Sequence, residues 1–263
     1  MAANDPIHQF QIEKLVDFGT VNLPVFGRSE LAFTNSHLAM TIAFVIVVGF
    51  LSLVTARMQV VPGRMQAVGE TLFGMIDNLA ESIIGHDGKK YFPFVFTIFM
   101  FILAMNVIGL LLTFTVTSQL AVTATFGLMT ILLVLIVGFA KNGLGFFKLF
   151  VPSGVPWVLL PVIVVIEFVS FLLRPVTLAL RLFGNMLGGH VALKVFAGFI
   201  VTLVGLGLGG GLGVFGFPGA ALSLGMVIAL TALECLVAFL QAFVFAVLTC
   251  IYLNDVVNLG HGH

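Results

Sequence analysis

Five long apolar runs constrain the fold of this 263-residue chain more than any other feature. They lie at about 38–56, 94–116, 122–140, 157–204 and 220–253. Each is near or beyond the ~20 residues that a helix needs to cross the hydrocarbon of a bilayer. Because the runs are continuous and do not alternate, they predict helices rather than barrel strands. With 60% apolar and 8% charged residues, the chain is predicted to be an all-α integral membrane protein with about five membrane helices.

The last two apolar runs are longer than one membrane crossing requires. As a helix, run 157–204 would extend about 72 Å, so it either folds back at Arg174-Pro175 or lies steeply tilted. Run 220–253 would extend about 51 Å. Two adjacent long helices joined by a glycine-rich turn predict one tilted hairpin, at about 157–253, packed along a curved neighbour.

An amphipathic helix is predicted at about 65–84, between the first two runs. Its apolar residues recur at helical spacing, opposite Glu70, Asp77 and Glu81. The acidic face favours a protein neighbour over anionic lipid, and a solvated interfacial helix without a partner is an equally good alternative. We expect residues 1–37 to form a separate N-terminal segment and residues 38–263 to form a single helical membrane domain.

The charge distribution predicts the orientation of the chain. Basic residues cluster in two connecting segments: Arg57, Arg64, Lys89, Lys90, Lys141 and Lys148. By the positive-inside rule these segments face the cytoplasm or matrix, so segment 1–37 is outside, the amphipathic helix is on the inner surface and the C-terminus is inside. The absence of a cleavable signal pattern favours a bacterial inner membrane, with the mitochondrial inner membrane as the alternative. The formal net charge of zero gives no argument for a nucleic-acid partner.

Polar residues recur at intervals of seven inside the last two runs. A charged group at membrane depth costs from ~3 to more than 10 kcal/mol, so its presence points to function. The first stripe is Glu167, Arg174 and Arg181, with Asn185 four positions beyond, and the second is Glu234 and Gln241. A separation of seven returns side chains to nearly the same helix face.

An antiparallel hairpin with Arg181 level with Gln241 would bring further groups together. His190 would then lie about 13 Å and Glu234 about 10 Å towards the outer side, whereas Glu167 would lie on the inner side. Nine residues turn a helix by about half a circle, so we expect His190 to line an aqueous cleft separate from Arg181.

More ordinary roles compete with these assignments. His190 or Glu234 could be hydrogen-bonded structural residues, and Arg174 could extend to the inner interface. Lys194 is expected to point outwards. Glycines such as Gly184 and Gly188 commonly permit close helix packing, and an approach to a moving partner would use the same property.

Three motifs resemble the a-subunit (subunit 6) family of the rotary F-type ATP synthase. They are Leu-Arg-Leu-Phe-Gly-Asn-Met at 180–186, Leu-Gln-Ala-Phe-Val-Phe at 240–245 and Asn-Val-Ile-Gly-Leu at 106–110, and the resemblance extends from about Leu38 to Tyr252. The resemblance implies a membrane stator that forms the proton path with a ring of c subunits, beside b-type subunits of the peripheral stalk. It also implies that the two long helices lie obliquely around the ring.

The resemblance implies a role for each matching residue. Arg181 matches the essential arginine, with Asn185 and Gln241 as its polar neighbours. His190 and Glu234 match the outer half-channel, in an arrangement similar to the mitochondrial one, and Glu167 matches an acid of the inner half-channel. Arg174, Gly184 and Gly188 are interface candidates.

Two other functions remain as alternatives. A stand-alone proton or ion channel or a secondary transporter could use the same polar stripe, but a lone fixed cation repels cations in their own path, and no internal repeat occurs. A structural scaffold would leave proton flux insensitive to Arg181→Ala. The sequence has no phosphate-binding GxxxxGK[ST] motif, so we expect no catalysis by this chain alone, and we expect no cofactor or metal.

Overall fold

The computed structural model describes residues 14–23, 27–56, 59–111, 116–151, 158–209 and 215–259. Its helices are α1 (Asn35–Ala56), α2 (Arg64–Ile84), α3 (Gly88–Leu111), α4 (Leu120–Asn142), α5 (Leu160–Leu208) and α6 (Gly216–Val257). Short 3-10 helices cover Val116–Ser118 and Gly143–Phe150. Five of these segments, those with α1, α3, α4, α5 and α6, are long and apolar enough to cross a membrane. The prediction of an all-α membrane fold is confirmed.

Helix α5 is continuous over 49 residues, so the alternative of a fold-back at Arg174-Pro175 was wrong. Pro175 removes one backbone hydrogen bond, but transmembrane helices tolerate proline where neighbouring helices support the backbone. Gly127 of α4 provides such a neighbour. A Cβ atom there would lie 2.7 Å from the carbonyl oxygen of Pro175, so the backbone of α4 lies directly against α5 at the proline.

Helices α5 and α6 form the predicted antiparallel hairpin. Arg174 of α5 contacts Asp255 near the end of α6, whereas His190, later in α5, contacts Glu234, earlier in α6. The two contacts occur in opposite order along α5 and α6, so the two helices run antiparallel.

Helix α2 confirms the predicted amphipathic helix, which begins one residue earlier than expected. Gly85 ends it with a φ of 81°, a left-handed conformation that favours glycine. Its buried face contains Gly69, Ile76 and Ala80. Gly69 accommodates Val54 of α1, because a Cβ atom would lie 2.6 Å from that side chain.

The N-terminal segment contains a β-ribbon that the sequence analysis did not predict. Strand β1 (Lys14–Leu23) pairs antiparallel with β2 (Gly27–Thr34), and the register runs from Lys14 opposite Thr34 to Leu23 opposite Gly27. Two irregularities in β1 interrupt the register. These breaks also interrupt the period-2 alternation by which a strand is recognised in sequence.

The chain divides into two compact units. Unit 1 contains residues 1–43, 105–119 and 183–240, and unit 2 contains residues 44–104, 120–182 and 241–263. The polar residues of the hairpin are divided between them: Asn185, His190 and Glu234 belong to unit 1, whereas Glu167, Arg174, Arg181 and Gln241 belong to unit 2.

Candidate functional site

Arg181 is exposed on the surface of α5 in unit 2. Leu178 and Leu182 point into the core, with 1% and 0% exposure, so α5 packs through these leucines and presents Arg181 on another face. Leu180, beside it, is also exposed. Among the described residues, the ion pairs present do not include Arg181. Within the described ranges, Arg181 thus presents a guanidinium group on an apolar surface without a carboxylate partner.

Arg174, seven residues earlier, has a carboxylate partner. Its Nη1 donates a hydrogen bond of 2.7 Å to Oδ2 of Asp255, near the end of α6. The guanidinium carbon lies 4.8 Å from the ring centre of Tyr252 and 5.5 Å from that of Phe171, within the range of cation–π attraction. Arg174 therefore forms a defined ion pair between α5 and α6.

An open groove of about 530 Å³ runs along this part of α5. It is lined by Ile166, Val169, Ser170, Leu173, Arg174, Thr177 and Tyr252. The hydroxyl groups of Ser170, Thr177 and Tyr252 give it a polar component among apolar walls. Glu167 is half-buried and is not among the lining residues, whereas Gln241 is buried. Tyr252 lies within electrostatic range of both Arg174 and Arg181.

In unit 1 the structure brings His190 and Glu234 together. Nδ1 of His190 lies 3.7 Å from Oε1 of Glu234, and the side chains are 11% and 4% exposed. Both carboxylate oxygens of Glu234 are buried without a hydrogen-bond partner among the described residues. Such an acid is costly to bury in the charged form, which suits a group that exchanges protons.

Gly189 makes room for the carboxylate of Glu234. A Cβ atom at Gly189 would overlap Oε1 of Glu234 and would lie 3.0 Å from its Cδ. The carboxylate therefore packs directly against the backbone of α5. Gly188, its neighbour, faces open space, so Gly189 is the glycine that this packing requires.

Other polar residues of unit 1 occupy contrasting positions. Asn185, Gly184 and Gly188 are exposed, and Cβ atoms at the two glycines would meet nothing within 4 Å. Asn106 is fully buried and donates a hydrogen bond of 3.1 Å from Nδ2 to the carbonyl oxygen of Ala238. It fixes α3 against α6, four residues beyond Glu234.

Four residues of this region were not predicted from the sequence: Asp255, Tyr252, Ser170 and Thr177. One signal could have found Asp255: an arginine inside an apolar run requires a counter-ion, and few acids are available in the last two apolar runs and just after them. The hydroxyl residues carry no comparable signal, because serine and threonine commonly bond to the backbone of their own helix.

Comparisons with known proteins agree with the motifs. The family model described as "ATP synthase A chain" matches residues 37–254. A protein of Rhodopseudomonas palustris (strain HaA2) called ATP synthase subunit a is 54% identical over 260 residues, covering 98% of this chain and 100% of the relative. Proteins of the same name are 51% identical in Chelativorans sp. (strain BNC1), covering 98% and 100%, and 50% identical in Nitrobacter hamburgensis, covering 98% and 99%.

Proposed function

Since this chain belongs to the ATP synthase A chain family, and is therefore a multi-pass membrane stator subunit of the F-type ATP synthase, we propose that Arg181 is the fixed cation separating two proton half-channels. As a member of this family the chain takes part in proton translocation and is not a catalytic subunit on its own.

The observation that carries the proposal is the exposed position of Arg181 without a described carboxylate partner. An arginine in an apolar helix that nothing neutralises is costly. The cost is removed if a neighbouring subunit supplies the anion. We assign that anion to an acidic side chain of a c-subunit ring. Gly184 and Gly188 follow Arg181 by three and seven positions along α5, and their open surfaces suit a close approach of small ring helices.

The half-channels are assigned to different parts of the hairpin. The buried pair His190–Glu234 supports an outer path, in which the carboxylate and imidazole pass protons towards the ring. The groove with Ser170, Thr177 and Tyr252 supports an inner path, and we assign Glu167 to it because this half-buried acid directly follows Ile166 of the groove wall in α5. The positive-inside distribution supports an orientation with the N-terminus outside and the C-terminus inside.

Arg181 acts by remaining charged. A guanidinium group stays protonated at any working pH, so it holds an arriving ring carboxylate ionised and repels protons that would pass directly between the paths. A proton bound from the outer path therefore leaves by the inner path only after the ring has turned. Each crossing supplies about 2.3 kcal/mol per 100 mV of membrane potential, which rotation delivers to the rest of the complex. We assign supporting polar roles to Asn185 and Gln241 because their positions match the family motifs.

The decisive experiment is Arg181→Ala in the complete ATP synthase, with Arg64→Ala as the matched control because Arg64 begins α2 and lies exposed outside the apolar helices. We expect proton-driven ATP synthesis in inverted vesicles to fall to background for the first variant and to remain normal for the second. Normal synthesis with Arg181→Ala would refute the assignment. Proton conduction by the purified chain alone would instead support a stand-alone channel.

Sidedness is tested with cysteine replacements after removal of Cys235 and Cys250. A membrane-impermeant thiol reagent should reach position 190 from the outer side and position 167 from the inner side. Labelling of both positions from one side would contradict the two paths.

A further inference from the structure

Arg174 places a second cation on the face of α5 that carries Arg181. Seven residues turn an α-helix by about 700°, so the two side chains differ in direction by only about 20° and are separated by about 10 Å along the axis. The groove beside Arg174 is open, so this position is accessible from the surface. Lys194 does not share the face, because thirteen residues after Arg181 correspond to about 1,300°, or roughly 220° from it.

Asp255 neutralises this second cation. The pair is bound at 2.7 Å, and its side chains are 20% and 28% exposed, so solvent screens it only in part. The rings of Tyr252 and Phe171 hold the guanidinium from two further sides. Since a guanidinium group does not lose its proton, a fixed anion is the means by which a protein cancels its charge. Arg181 has no such anion among the described residues.

We propose that Asp255 neutralises Arg174 so that a passing ring carboxylate meets one unpaired cation, Arg181, on this face of α5. The inference rests on the proposed function, because it requires an acidic side chain that moves past the helix. Without Asp255, Arg174 would hold the carboxylate ionised at a second position about 10 Å from the first. The ring would then stop before the proton transfer that completes the step. Asp255 is thus a positioning residue, which acts through Arg174.

The test compares Asp255→Asn with the combined variant Arg174→Gln/Asp255→Asn in the complete ATP synthase. The single variant leaves the cation unpaired, and we expect ATP synthesis per assembled complex to fall about tenfold, the order of a charge-assisted hydrogen bond. The combined variant also removes the cation, and we expect it to recover most of the loss. If the ion pair only tethers α5 to α6, the combined variant should be as impaired as the single one, and the proposal is then wrong.

Asp87→Asn is the matched control. It removes a second ion pair of unit 2 among the residues that the structure describes, between Asp87 and Lys141 at 2.6 Å, which involves neither α5 nor α6. Synthesis should stay at the wild-type rate. A loss equal to that of Asp255→Asn would show a general sensitivity of unit 2 and would overturn the proposal.

Two further results separate this inference from the proposed function. If Arg181→Ala abolishes synthesis but Asp255→Asn does not slow it, only the inference fails; if Arg181→Ala is active, the proposed function fails. Assembly is measured as the amount of this chain in purified complex. Should Asp255→Asn fail to assemble while the combined variant assembles and synthesises ATP, the unpaired cation impairs assembly and not rotation, and the proposal is then wrong. Failure of both to assemble would identify a structural tether and refute the proposal.

Discussion

Replacement of Gly127 by alanine should weaken the contact between α4 and α5 at Pro175. The added Cβ atom would lie 2.7 Å from the carbonyl oxygen of Pro175 and 3.4 Å from its Cα. An ordinary contact begins at about 3.4 Å, so the two helices must separate by roughly 0.7 Å. The obstacle is backbone, which cannot rotate away as a side chain can. Because Arg181 lies six residues after Pro175, a displaced α5 should also slow proton translocation.

The size of the effect follows from two opposing terms. Overpacking of this kind costs about 1–3 kcal/mol. Alanine gains about 0.8–1.0 kcal/mol over glycine in a helix interior. Gly49→Ala in α1 is the matched control, because a Cβ atom there meets nothing within 4 Å and only the gain applies. The free energies of unfolding of the two variants should therefore differ by about 1–3 kcal/mol.

The unfolding free energies are measured by titrating SDS into the purified chain in mixed micelles and following helix content by circular dichroism. ATP-driven proton pumping by the complete complex measures the functional effect. If Gly127→Ala were as stable as Gly49→Ala and pumped normally, α4 and α5 would not be in backbone contact at Pro175, and the account of how α5 continues through the proline would be wrong.

Two further predictions concern the acids of the chain. If His190 and Glu234 serve one path, His190→Ala/Glu234→Gln should lose less ATP-driven pumping than the summed losses of the single variants, whereas strictly additive losses would show independent roles. The hydrogen bond from Lys141 and its charge lower the pKa of Asp87 below 3.8. The contribution of the Asp87–Lys141 pair to the free energy of unfolding should therefore be fully present above pH 3.8. It should disappear as the pH falls through the lower pKa that Asp87 has in the folded state. The difference in thermal midpoint between wild type and Asp87→Asn should close in that acid range, and a difference that persists there would contradict the pairing.

Much of the fold can be predicted from the sequence because the hydrocarbon core of a bilayer admits few backbone structures. A segment that crosses a bilayer must satisfy its backbone internally, so five apolar runs are enough to predict five helices. The period of α2 is equally clear, since its acids and apolar residues occupy opposite faces. Proline was the misleading signal: Arg174-Pro175 suggests a break when considered alone, but α4 supplies the neighbouring backbone that supports a continuous α5.

The positions of individual polar residues are predictable within a helix and much less so between helices. The seven-residue spacing predicted that Arg174 and Arg181 share one helix face. The continuous helix α5 agrees with that prediction. The assumed register, with Arg181 level with Gln241, places His190 opposite residue 232, only two positions from Glu234, its observed partner. The same register places Arg174 opposite residue 248, seven positions or about 10 Å from Asp255, its observed partner. Surfaces of leucine, valine and phenylalanine repack with modest cost after a shift, so an apolar helix pair contains little information about its register. The ion pair supplies that information, because an arginine in an apolar helix is stable only where an acid reaches it. The same reasoning applied to Arg181, for which the described residues provide no acid, is what supports the proposed carboxylate on another subunit.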